Sequence, residues 1–359
     1  MFQIGESRRR LETSAMSPES VDLSPATLTE ALRASGVLRH ANVVVADAEQ
    51  IGAELGFNGL LYRVTLTYDR EEAGVPQSLI AKFALGADVA DKLHAESRFY
   101  SEFGGRIGIR MPKAYAAEPH CLLLEDLSDL KCGDVVAGCS LDEARLVLRH
   151  LAKFHAAGWC NPSFSQLDWL PKWPINPKRW YARFQEYHPR FLERFDTLLT
   201  EEMRQFTLSL VDRMPAIIEE LSDAPSTLIH VDTHLDNILF DPPDGVVLLD
   251  WPSAAIGPAA IDVVRFVASS LSLSENPSTI QHLTKEYTNK LHEHGVADYS
   301  SAQFGRHLQL AGCRLWAGMV TGYGARDTIE LESRQGALQQ TEIDRMTQMC
   351  RTSGWTETA

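Results

Sequence analysis

Aspartates, two histidines and an asparagine crowd into "LIHVDTHLDNILFDPPDGVVLLDW", residues 228–251, a stretch that otherwise reads as apolar strand. Two chemistries fit these residue types. His230, Asp232 and His234 alternate, and alternate residues of an extended segment share a face. They could converge on a transition metal for hydrolysis, although such a site wants three ligands, an open position and a supporting shell. In the second reading, Asn237 and Asp250 offer an amide oxygen and a carboxylate, hard ligands of the kind Mg²⁺ prefers. Asp232 is then a separate carboxylate able to take a proton from an attacking hydroxyl.

The local elements favour the second reading. "NILF" and "VVLLD" are apolar runs joined by "DPPDG", which carries hairpin-turn chemistry as a five-residue loop. Asn237 opens the first strand and Asp250 closes the second, so antiparallel pairing sets them side by side. Asp232 lies in the loop that enters the hairpin and can face the same space. His230 reads as a structural hydrogen-bonding residue, His234 as a phosphate or loop contact, and Asp236 as a solvent-facing or turn residue.

The surrounding pattern divides in two. "SPATLTEALRASG" has a cap at Ser24, Pro25 at the first helical position and a stop at Gly36. Alternating strands follow around the turn "GFNG", with Gly56 and Gly59, and then comes the strand "SLIAKFAL". In that strand Lys82 stands among apolar neighbours, a point charge suited to phosphate. Helical spacing marks "DVADKLHAESRFYSEFGG", which carries Glu96, and two short strands close this region. Beyond it, "SLDEARLVLRHLAKFHAAGWC" opens with a capping box, Ser140 and Glu143. Residues 161–181, rich in Trp and Pro, read as an irregular loop. Helical patterns follow over about 189–222, 258–295 and 299–345. The expected organisation is an arm at 1–22, a β-rich lobe with a leading helix at 23–126, a mostly helical lobe at 127–345 and a polar tail at 346–359.

These pieces resemble the kinase-like phosphotransferases of the aminoglycoside phosphotransferase, choline kinase and ecdysteroid-kinase-like group. The matching segments are "LIAKFA", "AESRFY", "LLLEDL", "LAKFHA", "HVDTHLDNILF", "VVLLDW" and "GPAAIDVVRF". The resemblance implies a two-lobed α+β protein-kinase-like fold holding ATP or GTP with Mg²⁺ between its lobes. It implies Asp232 as catalytic base, Asn237 and Asp250 as Mg²⁺ ligands, and Lys82 on the α- and β-phosphates, paired with Glu96. Main-chain groups around Glu125, Asp126 and Leu127 would lie near the adenine, and Asp262 would brace the catalytic loop. The group usually has glycine where this chain has Val231, and any positive φ there would strain a β-branched residue. The glycine loop is reduced, and Pro252 follows "DW". Three functions follow: a phosphotransferase acting on a small-molecule hydroxyl, a kinase-shaped binder with impaired catalysis, or the metal-dependent hydrolase of His230, Asp232 and His234.

Charge and composition narrow the partners. A net charge of −14 argues against nucleic acid and is compatible with a cationic small-molecule acceptor. No apolar run approaches the roughly 20 residues of a membrane span. Six scattered cysteines without a CxxC pair suit a reducing cytosol.

Overall fold

The computed structural model describes residues 22–51, 59–84, 87–118, 120–271, 277–326 and 333–356. Gly56 and nearly all of the expected N-terminal arm lie outside these residues. Two compact units emerge, one of residues 1–102 with 113–126, the other of 103–112 with 127–359.

The first unit is an antiparallel sheet with two helices. Helix α1 (Pro25–Ala34) starts where Ser24 Oγ accepts from Thr27 N and Pro25 fills the first turn. The strands β1 (Val43–Ile51), β2 (Gly59–Tyr68), β3 (Ser78–Ala84), β4 (Ala114–Glu118) and β5 (Cys121–Glu125) run in the spatial order β1-β2-β3-β5-β4. Helix α2 (Ala87–Phe103) lies between β3 and β4 in the chain. Leu79, Ala81 and Phe83 of β3 join Leu28, Leu32, Val64 and Leu66 in one apolar core. Strand alternation sends Lys82 to the opposite face.

The second unit is mainly helical, with short β elements at its functional loops. Strand β6 (Lys131–Cys132) precedes α3 (Leu141–Gly158), whose Ser140–Glu143 capping box forms as the sequence indicates. Helices α4 (Pro177–Arg194) and α5 (Glu201–Ser222) follow. Residues 161–181 are therefore irregular only to Asn176. Pro177 begins a helix that carries Trp180 and Tyr181, and Pro189 sits inside it. A proline breaks the helical hydrogen-bond pattern, which is why sequence spacing places the helix start too late. Phe195–Thr200 separates α4 from α5, and Thr200 caps the latter.

Strand β7 (Ser226–Ile229) leads into the segment 230–237, followed by the hairpin β8 (Ile238–Asp241) and β9 (Gly245–Leu248). Asp241 pairs with Gly245, so the hairpin loop is Pro242–Asp244, shorter than the expected "DPPDG". Strand β6 extends this hairpin beside β8, and β10 (Ala255–Pro258) pairs with β7. These two pairings escape sequence reading because strands of two and four residues have too few positions to show alternation.

Helices α6 (Ala260–Ser270), α7 (Pro277–Glu293), α8 (Ser301–Gly324) and α9 (Arg334–Thr352) complete the unit. The expected tail at 346–359 instead opens inside α9. Trp355 is 4% exposed and lies on Gly312 of α8, where a Cβ would meet its ring at 2.0 Å. Among the described residues, no helix is long and apolar enough to cross a membrane.

Candidate active site

The site of the second unit is built around one carboxylate. Asp262, in the first turn of α6, is fully buried. Its Oδ2 accepts from His230 N and its Oδ1 from Val231 N, both at 2.7 Å. Thr233 Oγ1 donates to the Asp262 carbonyl at 2.6 Å. His155 Nε2 lies 3.1 Å from Oδ2, and its Nδ1 meets the Tyr287 hydroxyl at 2.7 Å. The segment that leaves β7 is thus pinned by two backbone donors before Asp232 and by a side-chain donor just after it.

Val231 has φ +75° and Asp250 has φ +62°. Left-handed backbone crowds a Cβ, and a β-branched residue there is an outlier. The two bonds to Asp262 over-determine the turn and hold Val231 in the conformation glycine would adopt freely. Val231→Gly is therefore expected to raise stability. Relief of about 1–3 kcal/mol of backbone strain outweighs a glycine entropy cost of about 0.5–1 kcal/mol. Denaturant unfolding of the variant checks this, and a loss of stability would assign more weight to Val231 packing than to its backbone.

His230 has no nitrogen left for a metal. It is fully buried, its Nε2 meets Leu249 O at 2.7 Å, and its Nδ1 accepts from Asp232 N at 3.2 Å. Burial lowers its pKa, against the raising influence of Asp262 and the Leu249 carbonyl. Among the described residues, no three His, Cys, Asp or Glu side chains are grouped to hold a metal. This removes the hydrolase reading based on His230, Asp232 and His234.

Asp232 keeps 43% of its side chain exposed. Arg265 Nε approaches its Oδ1 at 3.1 Å, and His234 Nε2 lies 3.5 Å from Oδ2. Burial would raise its pKa, but the His234 contact and the Arg265 charge outweigh it and hold the carboxyl well below the usual range. Arg265 also binds Glu342 Oε1 at 2.7 Å, and Tyr323 OH donates to Glu342 Oε2. Asp262 and Arg265 stand three residues apart, on one face of α6. One helix therefore braces the loop and also orients its carboxylate.

Asn237 ends a short 3-10 turn, Leu235–Asn237, just before β8. Its Nδ2 donates to Asp232 O at 2.9 Å and lies 3.2 Å from His234 Nε2. With the amide nitrogen so engaged, Oδ1 is the atom directed elsewhere. Leu249 N donates to Asn237 O at 2.9 Å, which sets Asp250 beside Asn237 just beyond β9. Hairpin pairing thus brings an amide and a carboxylate residue to the same end of β8 and β9, residue types that fit Mg²⁺ with water and phosphate completing its shell. Asp236 is no free turn residue. Its Oδ1 accepts from Val135 N at 2.7 Å and its Oδ2 from Arg334 at 3.1 Å.

In the first unit, Lys82 Nζ donates to Glu96 Oε2 at 2.6 Å, both side chains being buried. Asp126 accepts from Ser78 Oγ at 2.7 Å and pairs with Arg63 at 3.2 Å. Glu125 N donates to Lys113 O at 2.8 Å. Gly59 opens β2, and Leu127 begins the second unit and accepts from Leu130 N.

Arg265, Glu342 and Thr233 are absent from the sequence expectations. A lone arginine in the apolar run "AIDVVRFVASS" is the one signal that could have disclosed Arg265. Glu342 sits in a polar helix without distinguishing pattern. Most of the Trp-rich segment is packing: Trp159 contacts Tyr299, Trp169 contacts Phe103, and Trp173 lies against Gly257.

Residues 108–296 match the family model described as ecdysteroid kinase-like. No curated protein matches the chain. Among solved structures, it is similar to a choline kinase from Cryptosporidium parvum Iowa II, with 11% identity and a TM-score of 0.54 over 86% of this chain and 89% of that one. It is also similar to the macrolide 2'-phosphotransferase of Brachybacterium faecium, with 15% identity and a TM-score of 0.51 over 84% and 91%. A third likeness is to a spectinomycin phosphotransferase in complex with ADP and spectinomycin, with 14% identity and a TM-score of 0.50 over 93% and 99%. The fold is that of kinase-like phosphotransferases.

Proposed function

We propose that this chain, which belongs to the ecdysteroid kinase-like family, transfers the γ-phosphoryl group of ATP or GTP to a hydroxyl of a small molecule. What supports this reading is that the bonds Asn237 Nδ2 to Asp232 O and Leu249 N to Asn237 O tie the loop of Asp232, Asn237 and the residue before Asp250 together within one unit. Asp232 orients the acceptor hydroxyl and receives its proton. The acceptor oxygen bonds to the γ-phosphorus as the bond to the bridging oxygen breaks. Asn237 Oδ1 and the Asp250 carboxylate would hold Mg²⁺, which supplies positive charge to the phosphates. Lys82, oriented by Glu96, adds a point charge at the α- and β-phosphates. Little covalent chemistry is asked of the protein, so positioning and electrostatics carry the rate.

The anonymity of the acceptor does not prevent a test. A ligand that binds only the folded state raises the melting temperature. ATP or GTP is expected to do so in a Mg²⁺-dependent way. Asp250→Asn should lose most of the Mg²⁺-dependent part. Asparagine tolerates the left-handed backbone at this position, so the change removes charge without the strain alanine would introduce. Absence of a nucleotide shift in the wild type, or a shift indifferent to Mg²⁺, would overturn the proposal.

A further inference from the structure

A cavity of about 320 Å³ lies inside the second unit, walled by α8, α9, Arg265 of α6 and His234 of the catalytic loop. Arg314, Gly318 and Gly322 of α8 recur at every fourth residue and share one helix face. A Cβ at Gly322 would meet nothing within 4 Å, and one at Gly318 would meet only the Arg314 guanidinium.

The wall is cationic although the whole chain is acidic. Its single carboxylate, Glu342, is occupied by Arg265 and Tyr323. Arg314 Cζ lies over Trp180, 3.3 Å from the ring centroid, and its Nε is buried without a hydrogen-bond partner. It has no carboxylate partner among the described residues. Burial pushes its pKa down to about 9, which leaves it charged at neutral pH. Arg326 adds a second positive charge at the exposed edge. Gln339 is 2% exposed, yet its Oε1 has no partner, and neither has the buried His234 Nδ1. Buried polar groups are normally paired, and leaving them bare costs free energy. Of these groups, the Arg314 guanidinium reaches the cavity wall, where a bound anion would meet its charge.

We propose that this cavity is the acceptor pocket and that it takes a hydroxylated small molecule bearing a carboxylate. Arg314 holds the carboxylate, presenting the fork that matches it. The hydroxyl to be phosphorylated sits at the end formed by His234 and Arg265, both of which contact Asp232. This rests on the phosphotransfer reading above, and it reverses the cationic acceptor suggested by the net charge of −14. Net charge describes the whole surface, whereas an acceptor meets only the local field.

The test is binding without nucleotide, by calorimetry, of three matched alcohols: mandelate, styrene glycol and phenylethanolamine, which carry a carboxylate, no charge and an ammonium. Wild type is expected to bind mandelate about tenfold or more tighter than the other two, the scale of a charge-assisted contact. Arg314→Leu should abolish that preference. Gly322→Leu, which fills the cavity without touching charge, should weaken all three. The Mg-nucleotide thermal shift should persist in both variants and reports their folding. Absence of a mandelate preference in wild type, or its survival in Arg314→Leu, would sink the pocket assignment. A nucleotide shift missing already in wild type, with a mandelate preference that Arg314→Leu abolishes and a cooperative melting transition kept in the variant, would keep the anion site and remove the phosphotransfer reading instead.

Discussion

Asp232→Ala is expected to lower turnover by about 10²- to 10⁴-fold, the range over which a positioned general base contributes, and to leave nucleotide binding intact. The fold should tolerate the change, because Arg265 keeps its second partner, Glu342, at 2.7 Å. No buried charge is orphaned. The depressed pKa of Asp232 also makes a pH prediction. A folded-state pKa below the unfolded value contributes stability above the unfolded pKa, which is lost as pH falls through the folded one. Between pH ~5 and ~8, both above the model carboxylate range, Asp232 stays ionised and contributes no inflection to the rate. Steady-state kinetics over that range, with thermal shift by Mg-nucleotide as companion, check both statements. Wild-type turnover in Asp232→Ala would remove it from the chemistry.

The second large effect falls on stability. Asp262→Ala leaves the buried N–H groups of His230 and Val231 without acceptors and strips His155 of its carboxylate. Each unsatisfied buried donor costs about 1–3 kcal/mol, so a loss of about 3–5 kcal/mol is expected. Asp262→Asn should be nearly as harmful, because both carboxylate oxygens accept and an amide would turn its NH₂ toward one of the donors. Combining Asp262→Ala with Val231→Gly should recover part of the loss, since the strained turn no longer has to be held. Such coupling is what a double-mutant cycle measures. Unfolding of the four proteins in denaturant decides it, and strict additivity would show that Asp262 does not hold the Val231 turn.

Much of this site was legible because its geometry is local. Turn chemistry between two apolar runs forces antiparallel pairing, and pairing alone sets Asn237 beside Asp250. The left-handed turn at Val231 was legible as a conflict, a β-branched residue where the resembling group carries glycine. The Asp232–Arg265–Glu342 chain was not, because its members come from a loop, α6 and α9 and meet only through tertiary packing. The same holds for Arg314, whose environment is made by Trp180 on a helix whose start was obscured by prolines. Hairpin register survives in the order of residues, whereas the partner of a buried arginine does not.

Val231 also bears on the history of the chain. Glycine and valine codons differ by a single base, so the replacement is always within reach of drift. It becomes survivable only where the turn is already clamped from outside. In this chain Asp262 is that clamp. The carboxylate of α6 thus opens a left-handed position to a branched residue.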